Sequence, residues 1–180
     1  MFQPSWDTYI QLLEVQRRQC EKTHQYWNII PAHLIEQIDS YLLPVDGLVD
    51  CSVAPHLIHA DITRKHILGR LDWGRWVTLG IIDFGDAMVG DIFYDLVALH
   101  LDLFRSDKRL LNAYLNAYGL DEYSSQTLSL KAMNLTLLHR FNVLDGVISL
   151  YPSQMSGVAT LDQLAALLWD VNVPGLVNLC

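Results

Sequence analysis

One short stretch of this chain, residues 53 to 83, has strand character, and it limits the folds open to the rest. Elsewhere apolar residues recur at helical steps, which leaves a mainly helical chain with one small sheet. Within the stretch, His56-Leu57-Ile58 reads as a short buried run. HILGRLD (66–72) and WVTLGIID (76–83) then flank Trp73-Gly74, which predicts an antiparallel hairpin with its loop around Asp72 to Arg75.

The flanks read as helices. Trp6, Tyr9, Ile10, Leu13, Cys20 and Trp27 predict a helix over residues 5–28, with Ser5 as N-cap. Pro31 suits a first helical position, and Leu34, Ile35, Ile38 and Leu42 carry a second helix over 31–43, stopped by Pro44. After Gly90 the chain stays helical over 91–180. Asp91 caps one helix, Gly119 ends another, and a long one runs from Ser125 to Leu150. Thr160-Leu161-Asp162-Gln163 has the form of a capping box for the last. The fold class is therefore mainly α with a small antiparallel β hairpin (α+β), in a single domain over 1–180, since 180 residues lie near the usual domain size.

Composition narrows the partners. A hydrophobic share of 51% against 18% charged residues supplies a core and argues against long disorder. Net charge is −8, and no cluster of Lys and Arg exists to displace counterions, so nucleic acid is not an expected partner. The aspartates crowd between Asp39 and Asp107, where an anionic substrate is repelled unless a divalent cation intervenes. Cys20, Cys51 and Cys180 have no close spacing, and a reducing, cytoplasmic setting follows. The N-terminus lacks the layout of a secretory signal, and no apolar run reaches the ~20 residues of a membrane span.

Two carboxylates carry the chemistry. Asp61 follows the run His56 to Ala60 and opens a loop, where it can accept the proton of an attacking hydroxyl or merely cap the loop. Asp83 closes the second hairpin strand with Gly85 two residues on, so the backbone can turn and leave the carboxylate facing outward, as a hard cation requires. His66 stands five residues after Asp61, the offset at which the kinase catalytic loop places its second metal-binding side chain.

HADITRKHIL (59–68) followed by IDFGDAMVGDIFYDL (82–96) resembles the C-terminal lobe of the aminoglycoside phosphotransferase and choline kinase-like family, distant relatives of protein kinases. Members show His-Gly-Asp with Asn five residues after the Asp, then Ile-Asp-Phe or Ile-Asp-Trp, then Gly-Asp-Pro-x-x-Asp-Leu. The resemblance covers residues 54 to about 99. It implies a protein-kinase-like C-lobe, with Asp61 as catalytic base, Asp83 and His66 at the metal, and His59 and Asp95 supporting the loop. It also implies Mg2+ as cofactor, ATP as co-substrate and a small-molecule hydroxyl as acceptor. Three positions depart from the pattern. Ala60 replaces Gly, which adds a methyl group and is expected to be harmless. Ile92 replaces Pro, and His66 replaces Asn, an imidazole where magnesium wants oxygen.

A Gly-rich phosphate loop and a strand Lys are missing from these residues, and Lys22 is the one Lys before the loop. The chain thus reads as one lobe of a two-lobe enzyme, the N-lobe absent, inactive alone and with an apolar patch where a partner lobe docks. No residue is assigned to nucleotide binding. Acidic residues at Asp102, Asp107, Asp121, Glu122 and Asp145 would suit a cationic acceptor, or be ordinary helix surface. Two rivals remain: a catalytically inactive kinase-like binding module or truncated fragment, and a non-haem iron oxygenase-type site built on His59-x-Asp61 and a further His, with His100 and His139 on apolar stripes read as core or surface histidines.

Overall fold

The computed structural model describes residues 4–120 and 125–171. The expectations for Asp121, Glu122 and Cys180 lie outside the described residues.

Helix α1 (Asp7–Trp27) starts where Ser5 Oγ accepts the amide of Asp7, and it buries Tyr9, Leu13, Cys20 and His24 along one stripe. The helix expected over 31–43 is instead two single turns, α2 (Ala32–Ile35) and α3 (Ile38–Tyr41). Between them Gln37 is held elsewhere: its side chain bonds the carbonyls of His33 and Ala159 and takes the amide of Leu161. That tertiary clamp sets the bend.

Strand β1 (His56–Ile58) departs from the sequence reading in two ways. Only Ile58 is buried, and Leu57 is 74% exposed. The strand also has a partner, β4 (Met88–Gly90), which pairs antiparallel with it in the register Ile58 with Met88 and His56 with Gly90. This second two-stranded sheet escaped the sequence reading because β4 is three residues long, below what alternation can signal. Gly90 has a packing reason: a Cβ there would lie 2.7 Å from the ring of Tyr9 and 2.9 Å from Ile58.

The expected hairpin forms from β2 (Ile67–Asp72) and β3 (Arg75–Ile81). Its turn is Trp73-Gly74, both at positive φ, the twist that matches a two-residue connection. The ribbon is nearly naked, with Leu68, Leu71, Trp76, Leu79 and Ile81 exposed and Trp73 99% exposed at the tip.

Beyond Gly90, α4 (Ile92–Ala98) begins at Asp91, whose carboxylate accepts the amide of Phe93 and meets Lys131 Nζ at 2.7 Å. A π turn over Leu99–Leu103 leads to α5 (Lys108–Tyr118), capped by Asp107 and ended by left-handed Gly119. Helix α6 covers Ser125–Leu137 and stops well short of Leu150. Its terminal carbonyl at Leu137 is taken by Cys20 Sγ and His24 Nε2 from α1, which satisfies an orphan acceptor and frees the chain to turn. Short turns α7 (Asp145–Ile148) and α8 (Pro152–Met155) follow. Helix α9 (Leu161–Trp169) opens on Thr160, whose hydroxyl accepts the Gln163 amide while Gln163 reaches back to Ala159. A core running from Tyr9 to Trp169 joins α1, α4, α6 and α9. Among the described residues no helix is long and apolar enough to cross a membrane.

Candidate active site

The loop carrying Asp61 is gathered by one half-buried side chain. Asp95, on α4, accepts the amide of His59 at 2.8 Å and that of Ala60 at 2.7 Å, one with each carboxylate oxygen. Burial pushes the Asp95 carboxyl above the usual range, against the pull of those two amides. Ala60 stands at φ +63°, in the left-handed region, and is fully buried. The methyl expected to be harmless thus sits on a strained backbone, a cost that its burial offsets. Glycine occupies this position in the family pattern because only glycine enters that region without strain.

Asp61 is half-buried at a cleft of about 400 Å³ that Thr63, His66, Asp102, Phe141, Val143 and Asp145 also line. Burial raises its carboxyl above the ordinary value, Asp86 and Asp83 add to the rise, and His66 and His59 oppose it. The two carboxylates of the sequence motifs thus lie in one electrostatic neighbourhood. Asp83 sits at φ +67° where the chain leaves the hairpin, with its side chain 65% exposed.

His59 and His66 stack at 5.5 Å with an interplanar angle of 20°. His59 Nε2 donates to the carbonyl of Ile82 at 2.9 Å, bracing the hairpin exit against the loop. His66 Nδ1 lies 2.6 Å from the carbonyl oxygen of Asp61, and its Nε2 lies 3.7 Å from Asp83 Oδ2. Among the described residues no group of three His, Cys, Asp or Glu side chains is placed to hold a metal ion, so a His-Asp-His triad is not assembled. His100 and His139 are buried and bonded to backbone, through the Leu168 carbonyl and the Phe141 amide.

Three supporting contacts went unseen in the sequence. Asp102 takes the amide of Arg64 at 2.7 Å with the Arg64 guanidinium 3.8 Å away, so it ties down the Asp61 loop. Arg140 NH1 bonds Asp86, just past Asp83, and its amide donates to Tyr94 Oη. Lys131 closes on Asp91 and lies 4.5 Å over the Phe93 ring. Charge alternation on separate helices carries no spacing signal, so none of these was findable by period.

Transferases are the class to which such a chain belongs. The sequence signature of the phosphotransferase enzyme family matches residues 3–127, and the chain is a member of that family. The lysine-specific demethylase JMJ21 of Arabidopsis thaliana is 25% identical over 205 aligned residues, which take in 92% of this chain and 22% of that protein. The chain thus spans under a quarter of that relative's length.

Proposed function

We propose that these residues form a protein-kinase-like C-lobe that moves a phosphoryl group from ATP to the hydroxyl of a small molecule. Asp61 accepts the hydroxyl proton, and its raised carboxyl pKa brings it closer to the range in which a base can both accept and release that proton. Asp95 and His59 fix the loop, and Asp83 would hold the divalent cation that this chemistry requires. A cation there would neutralise the charge carried by the transferring phosphoryl oxygens. The Asp83 carboxylate fits magnesium, which binds through one or two carboxylates and substrate phosphates. The His66 imidazole does not.

The observation that carries this reading is the clamp of Asp95 on the two amides preceding Asp61, inside a match to the phosphotransferase family. The acceptor enters the cleft beside Asp61, where Asp145 favours a cationic group; Asp102 is already engaged by Arg64. The exposed hairpin is where a nucleotide-gripping lobe or partner domain docks. A cytoplasmic setting is part of this reading, supported by the thiols Cys20 and Cys51, which are free among the described residues.

The test is transfer of labelled phosphate to a panel of amino alcohols, sugars and aminoglycosides. The chain alone should give none, and a longer form bearing a nucleotide lobe should transfer. Robust turnover by these 180 residues alone would contradict the docking of a separate lobe. A longer form that binds ATP without transferring would favour the second reading, a kinase-like binding module, which the imidazole at position 66 supports.

A further inference from the structure

The His66 ring is fixed in one tautomer. A carbonyl oxygen can only accept, so the 2.6 Å contact with Asp61 O places the hydrogen on Nδ1. The lone pair of the neutral ring is then on Nε2, which faces Asp83 Oδ2 across 3.7 Å. Two acceptors at that separation repel unless a positive species, a proton on Nε2 or a metal ion, lies between them. The ring cannot turn away: it is stacked on His59, which is itself bonded to Ile82 O, and its side chain is 15% exposed.

An imidazole that donates one N–H to a backbone carbonyl and leaves the other nitrogen free is the arrangement by which proteins orient a metal-ligating histidine. Its partner here is a carboxylate oxygen. A nitrogen–oxygen donor pair suits divalent first-row transition ions, whereas magnesium takes oxygen and gives up its water reluctantly. We propose that His66 and Asp83 form a mixed imidazole–carboxylate site that takes an ion of the manganese-to-zinc series in preference to magnesium. Two protein ligands leave the remaining positions to water or, on the phosphotransferase reading, to phosphate oxygens. The donor pair does not depend on that reading; the completion of its shell does.

Manganese is the probe, because exposed Cys51 would take zinc by itself. Mn2+ is titrated into the chain by electron paramagnetic resonance, with Mg2+ as competitor, with and without ADP. Pulsed measurements report whether a nitrogen is bound to the ion. The expected result is Mn2+ bound with imidazole nitrogen coupling and displaced poorly by Mg2+. In His66→Asn the coupling vanishes, Mn2+ affinity falls by about 10-fold or more, and Mg2+ competes better. Bound Mn2+ without nitrogen coupling overturns the proposal, as does a His66→Asn protein whose preference between the two ions is unchanged. Nitrogen coupling that ADP does not affect upholds the metal site and counts against nucleotide chemistry. Tightening by ADP with equal preference for both ions does the reverse.

Discussion

Arg140 and Asp86 are hydrogen-bonded across 54 positions of sequence, so the chain just past α6 holds the turn that follows Asp83. The same residue's amide is fixed by Tyr94 Oη, and its second guanidinium nitrogen lies 3.9 Å from Met88 Sδ. Segment 141–146, immediately beyond, lines the cleft beside Asp61. The cleft wall and the Asp83 turn therefore share one anchor. Arg140→Gln should speed amide hydrogen exchange at Ala87, whose amide bonds Phe84 O, while leaving α9 unchanged. The pair is partly exposed, so the loss of global stability should be about 1 kcal/mol or less.

Ala60 offers a cleaner backbone test. Its left-handed φ costs roughly 1–2 kcal/mol relative to glycine. Ala60→Gly removes that strain but adds chain entropy of about 0.5–1 kcal/mol and gives up a buried methyl of about 0.8 kcal/mol. The terms nearly cancel, and the urea midpoint should barely move. Ala60→Val keeps the strain, adds branching at Cβ and has no room, because the site is fully buried. A loss above about 2 kcal/mol is expected. Equal effects of the two changes would remove the backbone explanation.

The two motifs and the helical flanks could be read in the sequence because each rests on a short local pattern. Tyr9, Leu13, Phe93, Leu96 and Leu115 are buried as the helical period requires, and Asp91, Thr160 and Gly119 act where capping chemistry puts them. What stayed hidden depends on tertiary contact. The long helix expected to Leu150 ends at Leu137 because Cys20 and His24 claim its last carbonyl from 113 or more residues away. The 31–43 helix bends because Gln37 serves the start of α9. The Asp61 and Asp83 motifs marked two candidate carboxylates, but the left-handed φ of Ala60 was not legible in any spacing. Spacing gave His66 as a position, and only geometry showed which nitrogen is free.

The hairpin carries a second test of backbone proximity. The Trp76 indole covers Gly69, where a Cβ would lie 2.3 Å from the ring and 2.6 Å from the carbonyl oxygen of Val77. The indole can swing outward, but the carbonyl belongs to the paired strand and cannot. Gly69→Ala should therefore disturb the register beyond the irregularity at Leu68/Gly69 and shift Trp76 fluorescence to longer wavelength. A substitution at Gly80, where a Cβ meets nothing within 4 Å, is the matched control and should leave the spectrum alone.

Separate roles for the two carboxylates predict separate defects in a longer, active form. Asp61→Asn should slow transfer by ~10²–10⁴-fold, the contribution of a general base, with nucleotide affinity almost unchanged. Asp83→Ala should weaken metal-dependent nucleotide binding itself, because it removes a ligand of the cation. Calorimetric titration with a non-hydrolysable ATP analogue, run beside turnover, tells these apart. Identical losses of affinity would merge the two roles.

Buried histidines give this protein an acid-sensitive fold. Burial drives the His139 imidazole down to about 3 and that of His100 to about 4, and it lowers His24 as well. His139 lies against Tyr94 at 4.4 Å and beside Arg140, which opposes its protonation further. The unfolded chain takes up these protons near pH 6.5, while the folded chain refuses them until far lower pH. Unfolding therefore binds protons once the pH drops below about 6.5, and stability falls with it, by about 1.4 kcal/mol per pH unit for each such site. Above that range these histidines contribute no slope. Lys108, lowered to about 7 by burial, is charged in both states below neutrality and drops out of the same window. Urea midpoints should fall steeply from pH 6 to pH 5, whereas between pH 7 and 8 the slope left is that of Lys108, neutral in the fold and charged in the unfolded chain, at about one proton or less. His139→Phe costs stability at every pH, since the Phe141 amide loses its acceptor. It should nonetheless flatten the acid slope by about one proton, and an undiminished slope would assign the acid sensitivity to other groups.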